Sequence, residues 1–205
     1  MASKVSIANK ALSLLGQSGI TSFSDKTSRS DAISEVYDDI LREVLEETEW
    51  NFSTKRSVLA QAVVTIPWTA DGLIIPYLYP SDAIRILNLS DDNLIWKVEV
   101  IGTSKFILTD MSSLEIRYIF LNTDPSQYSP KFIKALATRL AAELAYQINR
   151  DMKEYAQRIE IYEKVELPKA ISANSQEGST TQPKQDKFIL AKFGAIPPRA
   201  GRYYG

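Results

Sequence analysis

Two long apolar stripes at helical spacing limit the folds open to this 205-residue chain. The first runs from Ala32 to Leu45, and the second runs from Phe132 to Ile148. Apolar residues that recur at i, i+3, i+4 and i+7 predict an amphipathic helix, which must bury its apolar face against a partner. We therefore expect both helices to share one core, although a long segment without helical spacing separates them in sequence.

Two further helical patterns complete a predicted four-helix bundle. One runs from Val5 to Leu15 near the start of the chain, and the other runs from Met152 to Tyr162. Pro168 is expected to end or kink this last helix, because proline removes a helical hydrogen bond. The bundle is thus built from helices that lie before and after the central segment.

The sequence also contains start signals for the two long helices. Thr27 or Ser28 is a suitable N-cap for the helix that contains the first stripe, because a hydroxyl can accept a hydrogen bond from a free backbone N–H. Ser129-Pro130 has the form of an N-cap followed by proline at the first helical position.

The central segment predicts a small antiparallel β-domain. It is β-branched and aliphatic from Arg56 to Ile66, and Gly102-Thr103 forms a gap of hairpin size. Shorter strand candidates follow at Leu73 to Leu78, Ala83 to Leu89, Ile95 to Ile101, Lys105 to Thr109 and Leu114 to Leu121. We expect an α+β protein in which residues 1–52 and 129–168 form the bundle, residues 53–128 the inserted β-domain, and residues 169–205 a linker and an extended C-terminal arm.

The end of the chain predicts a docking arm. Residues 172–185 are polar and linker-like, and apolar anchors then return among basic residues. Such a segment has no core of its own, so we expect it to order on a partner, a merely unstructured terminus being the alternative. The residues assigned to docking are Lys187, Phe188, Ile189, Leu190, Lys192, Phe193, Arg199, Arg202, Tyr203 and Tyr204.

Composition excludes several classes of function. The chain has no cysteine and no histidine, so it can form no disulfide, no thiolate or imidazole nucleophile and no zinc site built on these residues. Its formal net charge of −1 argues against general nucleic-acid binding. The sequence contains no phosphate-binding glycine loop, so we expect no cofactor. It contains neither a signal-peptide pattern nor a long apolar run, so we expect no membrane contact.

Acidic side chains crowd one face of the second predicted helix. They are Asp38, Asp39, Glu43, Glu46 and Glu47, and they lie opposite the apolar stripe. A solvated face, or a face that lines the channel of a ring, is the favoured interpretation, and Asp38 is expected to pair with Arg42 at i, i+4. The competing interpretation is a pair of catalytic carboxylates of the glycosidase type.

Four large aromatic residues lie near the predicted helix–sheet boundary and in the β-domain. Trp50, Phe52, Trp68 and Trp96 could stack on nucleic-acid bases, but no lysine or arginine cluster accompanies them. Packing between helices and sheet is the favoured interpretation.

The order of several short motifs resembles the tail tubular protein A family, the head-to-tail adaptors of podovirus-type phages. The motifs are Leu14-Leu15-Gly16 with the loop Ile20 to Phe23, Glu49-Trp50-Asn51-Phe52, Tyr79 to Ile86 with its proline-x-aspartate pattern, Leu114 to Tyr118, and Pro130-x-Phe132. They cover most of residues 3 to 165 in layout.

The resemblance implies a structural virion protein and no enzyme. It implies a ring of twelve copies that connects the portal to the tail nozzle, continues the DNA channel without binding DNA specifically, and often carries fibres. The C-terminal arm would reach the portal, and the protein would be made in the host cytoplasm and reside at the head–tail junction of the virion. A head-completion or neck protein of a long-tailed phage and a tail-associated glycan hydrolase are the alternatives.

Overall fold

The computed structural model describes residues 2–66, 68, 72–90 and 94–178. The helices are α1 (Lys4–Leu14), α2 (Ser28–Glu46), α3 (Pro130–Asn149), α4 (Met152–Ile161) and α5 (Leu167–Ser175). The strands are β1 (Thr54–Leu59), β2 (Ile75–Leu78), β3 (Ala83–Leu89), β4 (Trp96–Ile101), β5 (Ser104–Thr109) and β6 (Leu114–Phe120). The predicted mixture of helices and antiparallel strands is confirmed.

Local capping sets where the long helices begin. The Thr27 hydroxyl accepts a hydrogen bond from the backbone N–H of Ser30 at 3.2 Å, so the first of the two predicted candidates is the N-cap of α2. At α3 the Ser129 hydroxyl accepts from the backbone N–H of Phe132 at 3.2 Å, and proline occupies the first turn as predicted.

The helix α3 is the centre of the helical core. Helices α1, α2, α4 and α5 all contact it, and its Leu136, Leu140 and Leu144 are fully buried. Arg150 ends α3 in the left-handed conformation, with a φ of 54°, which reverses the chain into α4. Because the described helical core contains five helices, four of them packed around α3, these contacts do not establish the predicted four-helix bundle.

The helical region extends further than the sequence predicts. A π-helical turn, Tyr162–Glu166, follows α4, and the chain then continues as α5 to Ser175. Pro168 lies in the first turn of α5, directly after the π-helical turn, so the chain continues as a helix past the residue that was predicted to end or kink it. Ala170 is fully buried in the helical core. This packing keeps residues 167–175 helical. The sequence instead predicts that the linker begins at residue 169.

The strands form two small sheets rather than one. The first sheet has the order β1-β6-β3 and the second has the order β2-β5-β4, with every pairing antiparallel. The sheets face each other across a shared core that includes Tyr77 and Ile107 of the second sheet and Ile116 and Tyr118 of the first. Ile84 and Ile119, on the opposite face of the first sheet, belong to the helical core instead. The first sheet therefore lies between the helices and the second sheet.

The predicted extended run from Arg56 to Ile66 has two structural roles. Only its first part is the strand β1, which ends at Leu59. Ala62, Val64 and Ile66 then pack on the outer face of the second sheet, against Leu73, Phe106 and Leu108. The apolar residues after Leu59 thus cover the outer face of the second sheet.

Candidate docking surface

The aromatic residues at the helix–sheet junction are part of the core. Trp50 is fully buried, and its indole Nε1–H donates to the backbone carbonyl of Val44 at 2.9 Å. Its ring centroid lies 4.9 Å from that of Phe132 and 5.8 Å from that of Phe52. Packing is therefore confirmed for Trp50 and Phe52, whereas Trp68 is exposed.

A reciprocal pair of asparagines fastens the end of α5 to this junction. The Asn174 Oδ1 accepts from the backbone N–H of Asn51 at 2.9 Å, and the Asn51 Nδ2 donates to the Asn174 carbonyl at 2.8 Å. The Asn174 Nδ2 also donates to the carbonyl of Glu49 at 2.8 Å. The Glu49 carboxylate in turn pairs with Arg117 of β6 at 3.0 Å. These contacts hold the end of α5, close to the last described residue, against the helix–sheet junction.

Replacing Asn174 with alanine removes the two side-chain hydrogen bonds, to Asn51 and Glu49, that join residues distant in sequence, and keeps the backbone carbonyl that accepts from Asn51. We expect the free energy of unfolding to fall by about 1–2 kcal/mol, because hydrogen bonds at a partly exposed site contribute modestly. Amide hydrogen exchange should accelerate in residues 167–175 more than in α1. Ser172→Ala, at an exposed position of the same helix, is the matched control, and equal exchange profiles in both variants would contradict the role of Asn174.

The aspartate of the proline-x-aspartate motif joins three strands. The Asp82 carboxylate pairs with Lys55 of β1 and accepts from the Tyr118 hydroxyl of β6 at 3.2 Å. Its backbone carbonyl accepts from the N–H of Leu121 at 2.8 Å. Burial raises the pKa of Tyr118, and the hydrogen bond to Asp82 raises the pKa of Lys55. The motif thus closes the first sheet at the end nearest the helices.

The acidic residues of α2 do not act as one uniform face. Asp38 pairs with Lys4 of α1 at 2.7 Å, which corrects its predicted pairing with Arg42. Lys4 is able to reach it because α1 and α2 both pack on α3, a proximity that sequence spacing does not reveal. All five predicted acidic residues are exposed, four of them within α2 and Glu47 at its C-cap, so a solvated face is compatible with their positions: Asp38, Asp39, Glu43, Glu46 and Glu47.

Glu43 forms a two-point ion pair with an arginine of α3. Its Oε1 accepts from the Arg139 Nε at 3.0 Å, and its Oε2 accepts from the Arg139 Nη2 at 2.9 Å. Burial opposes the charge of Arg139, but the hydrogen bonds and the negative charge of Glu43 outweigh it and raise the pKa of the guanidinium. Sequence reasoning missed this pair, although the charged Arg139 directly before the stripe residue Leu140 was the available signal.

An open groove of about 410 Å³ lies on the part of the first sheet that the helices leave uncovered. Arg56 of β1 lies directly opposite Arg117 of β6 there, and the exposed Val58 follows. Glu115 is the one carboxylate among its described lining residues. The groove therefore lacks, in the part of the chain described, the two facing carboxylates that glycoside hydrolysis uses.

The described ranges hold no group of three or more acidic residues placed to bind a metal ion. Within the same ranges, no helix combines the length and the apolar character that crossing a bilayer requires. The ten predicted docking residues of the C-terminal arm, from Lys187 to Tyr204, lie outside the described residues.

Comparison with known proteins adds no family assignment. No protein-family model matches the chain, and no curated protein matches it significantly. The resemblance to the tail tubular protein A family rests on the sequence motifs, and it remains a prediction.

Proposed function

We propose that this chain is a structural, non-enzymatic subunit of a head-to-tail adaptor ring in a podovirus-type virion. Twelve copies would form the ring, connect the portal to the tail nozzle, with fibres attached in some arrangements, and continue the channel through which genomic DNA passes. The proposal includes the architecture that the resemblance implies, a four-helix bundle that carries an inserted β-domain and an arm.

The observation that carries the proposal is that the helices before the strands in sequence pack against the helices after them. Helices α1 and α2 precede the six strands and α3 to α5 follow them, and both groups meet at α3. The strands are therefore held at both ends by one helical core, and Asp82 and Asn174 reinforce the boundary. An adaptor needs such a rigid body, because its role is to hold two partners at a fixed distance and orientation rather than to catalyse a reaction.

The exit point of the arm supports the same function. Asn174 and Glu177 both contact Asn51, so the last described turn lies against the helix–sheet junction. The residues that follow would start from a fixed position, and this lowers the entropy lost when they bind a partner.

A portal-binding experiment tests the proposal. The full chain and the purified portal of the same virus are mixed and analysed by size-exclusion chromatography with light scattering. We expect a complex whose mass corresponds to twelve 23.0-kDa copies per portal. Truncation after Gln182 should abolish the complex and leave the thermal unfolding transition unchanged, because the truncation removes the docking residues and no described core contact.

The matched control keeps residues 183–205 in scrambled order, so that length, charge and composition are preserved. Loss of binding in this variant as well would show that the order of apolar and basic residues is recognised. Portal binding that survives truncation would overturn the docking role of the arm, and an intact chain that never binds portal would overturn the adaptor function.

A further inference from the structure

The strand β4 lies at an edge of the second sheet and carries exposed apolar side chains. It is the last strand of the second sheet and pairs with β5 alone among the described strands. Ile95 is 67% exposed, Val98 is 37% exposed and Val100 is 68% exposed. An edge strand of this kind can pair with a strand of another molecule. We infer that the β4 edge binds the same edge of a second copy of this chain, as an antiparallel pair centred on Val98.

The backbone of β4 is oriented for such pairing. Val100 lies opposite Lys105 in the β4–β5 register, and the Lys105 carbonyl accepts from the N–H of Tyr79, on the other side of β5. Opposite residues of an antiparallel pair point their backbone groups either toward each other or both away. Val100 therefore directs its N–H and carbonyl away from β5, and the alternation places Val98 and Trp96 in the same orientation.

The side chains of β4 are complementary to themselves about Val98. In an antiparallel pair centred there, Val98 faces Val98 of the second copy and Trp96 faces its Val100, which joins an aromatic to a β-branched side chain. Lys97 faces Glu99 of the second copy, and symmetry repeats each of these contacts.

Opposite charges in directly facing positions favour this register over its neighbours. Moving the centre of the pair by one residue would place Lys97 opposite Lys97, or Glu99 opposite Glu99. The sequence Ile95 to Ile101 thus selects one alignment.

This two-fold contact is separate from the contacts of the proposed ring. It uses the same patch on both copies, whereas neighbours around a closed ring of twelve meet through two different patches. The inference therefore does not rest on the adaptor proposal, and portal binding and β4 pairing can succeed or fail independently.

Single cysteines test the alignment, because the chain has no cysteine of its own. Facing hydrogen-bonded residues in an antiparallel pair have Cα atoms about 5.5 Å apart, within the range of a disulfide. Val98→Cys should therefore give a disulfide-linked dimer under mild oxidation. In Val100→Cys the two cysteines would lie about 14 Å apart along the strands, so this control, at the more exposed of the two positions, should remain uncrosslinked. Equal crosslinking of both variants, or none in Val98→Cys, overturns the pairing.

A charge exchange tests the facing ion pairs by sedimentation equilibrium of the full chain. Glu99→Lys places like charges opposite each other twice, and we expect the dissociation constant of the dimer to rise by about tenfold. Adding Lys97→Glu should restore the original value, since opposite charges face each other again. Glu115→Lys, on β6 of the other sheet, should leave the constant unchanged. A double variant as weak as the single one, or a single variant as strong as the parent, overturns the alignment.

Discussion

Trp50→Ala should lower the free energy of unfolding by about 3–5 kcal/mol, the range found when a large buried aromatic side chain is truncated. Trp50 is fully buried and contacts Phe52 and Phe132, so its removal leaves a cavity between the helices and the first sheet. It also leaves the Val44 carbonyl without its indole donor. Urea unfolding followed by far-UV circular dichroism measures the change.

Two variants separate the contributions at this site. Trp50→Phe keeps an aromatic ring but loses the hydrogen bond to Val44, and we expect an intermediate loss. Trp68→Ala removes an exposed tryptophan and should change the free energy of unfolding by less than about 0.5 kcal/mol. A Trp50→Ala variant as stable as Trp68→Ala would contradict the assignment of Trp50 to the core.

Glu43→Ala is expected to destabilise the protein more than Arg139→Met, although the two residues form one ion pair. The Arg139 side chain is 11% exposed, whereas the Glu43 side chain is 45% exposed. Removing Glu43 leaves a largely buried guanidinium whose remaining ion pair, among the described residues, is the 3.5 Å contact to Glu143. Removing Arg139 leaves a carboxylate that water can solvate, and methionine fills part of the vacated space.

We expect a loss of about 2–3 kcal/mol for Glu43→Ala, below the range for a fully buried pair because Glu43 is partly solvated. The loss for Arg139→Met should be about 1 kcal/mol or less, since a buried ion pair is often replaceable by an apolar residue. Asp39→Ala, at an exposed carboxylate of the same helix, is the control. Equal losses for Glu43→Ala and Arg139→Met, measured by urea unfolding, would contradict the asymmetry.

The ion pair also bears on the acidic face of α2. Glu43 and Asp38 are held by cations of their own chain, so they contribute less negative potential to solvent than their number suggests. Asp39, Glu46 and Glu47 are the remaining exposed acids of this face. If α2 faces the channel of the proposed ring, these three would provide most of its negative charge.

Local sequence features predicted the elements well where neighbouring residues decide the outcome. The strand β3 has the bounds predicted for it, Ala83 to Leu89, and α3 begins at the predicted cap. Capping and alternation act over a few residues, so they can be read directly from the chain. The length of α5 could not be read in this way, because its helicity depends on the burial of Ala170 in a distant core.

The contacts at the helix–sheet junction were predicted only in part. The aromatic and proline-x-aspartate motifs were visible, but their partners were not, since Asp82 reaches Lys55 and Tyr118 through the pairing of β1, β6 and β3. The ion pair of Glu43 with Arg139 and the contact of Asn51 with Asn174 likewise join residues far apart along the chain.

The sequence by itself therefore determined the bounds of β3, the start of α3, the absence of cysteine and histidine chemistry, and the order of residues in β4. The tertiary structure alone decided that the strands divide into two sheets, that α3 is the centre of five helices, and which charges are paired. The physical reason is the range of the interactions: hydrogen bonds within a helix and side-chain alternation along a strand connect near neighbours. Packing and ion pairing depend on which distant segments meet, and many pairings satisfy the same local pattern.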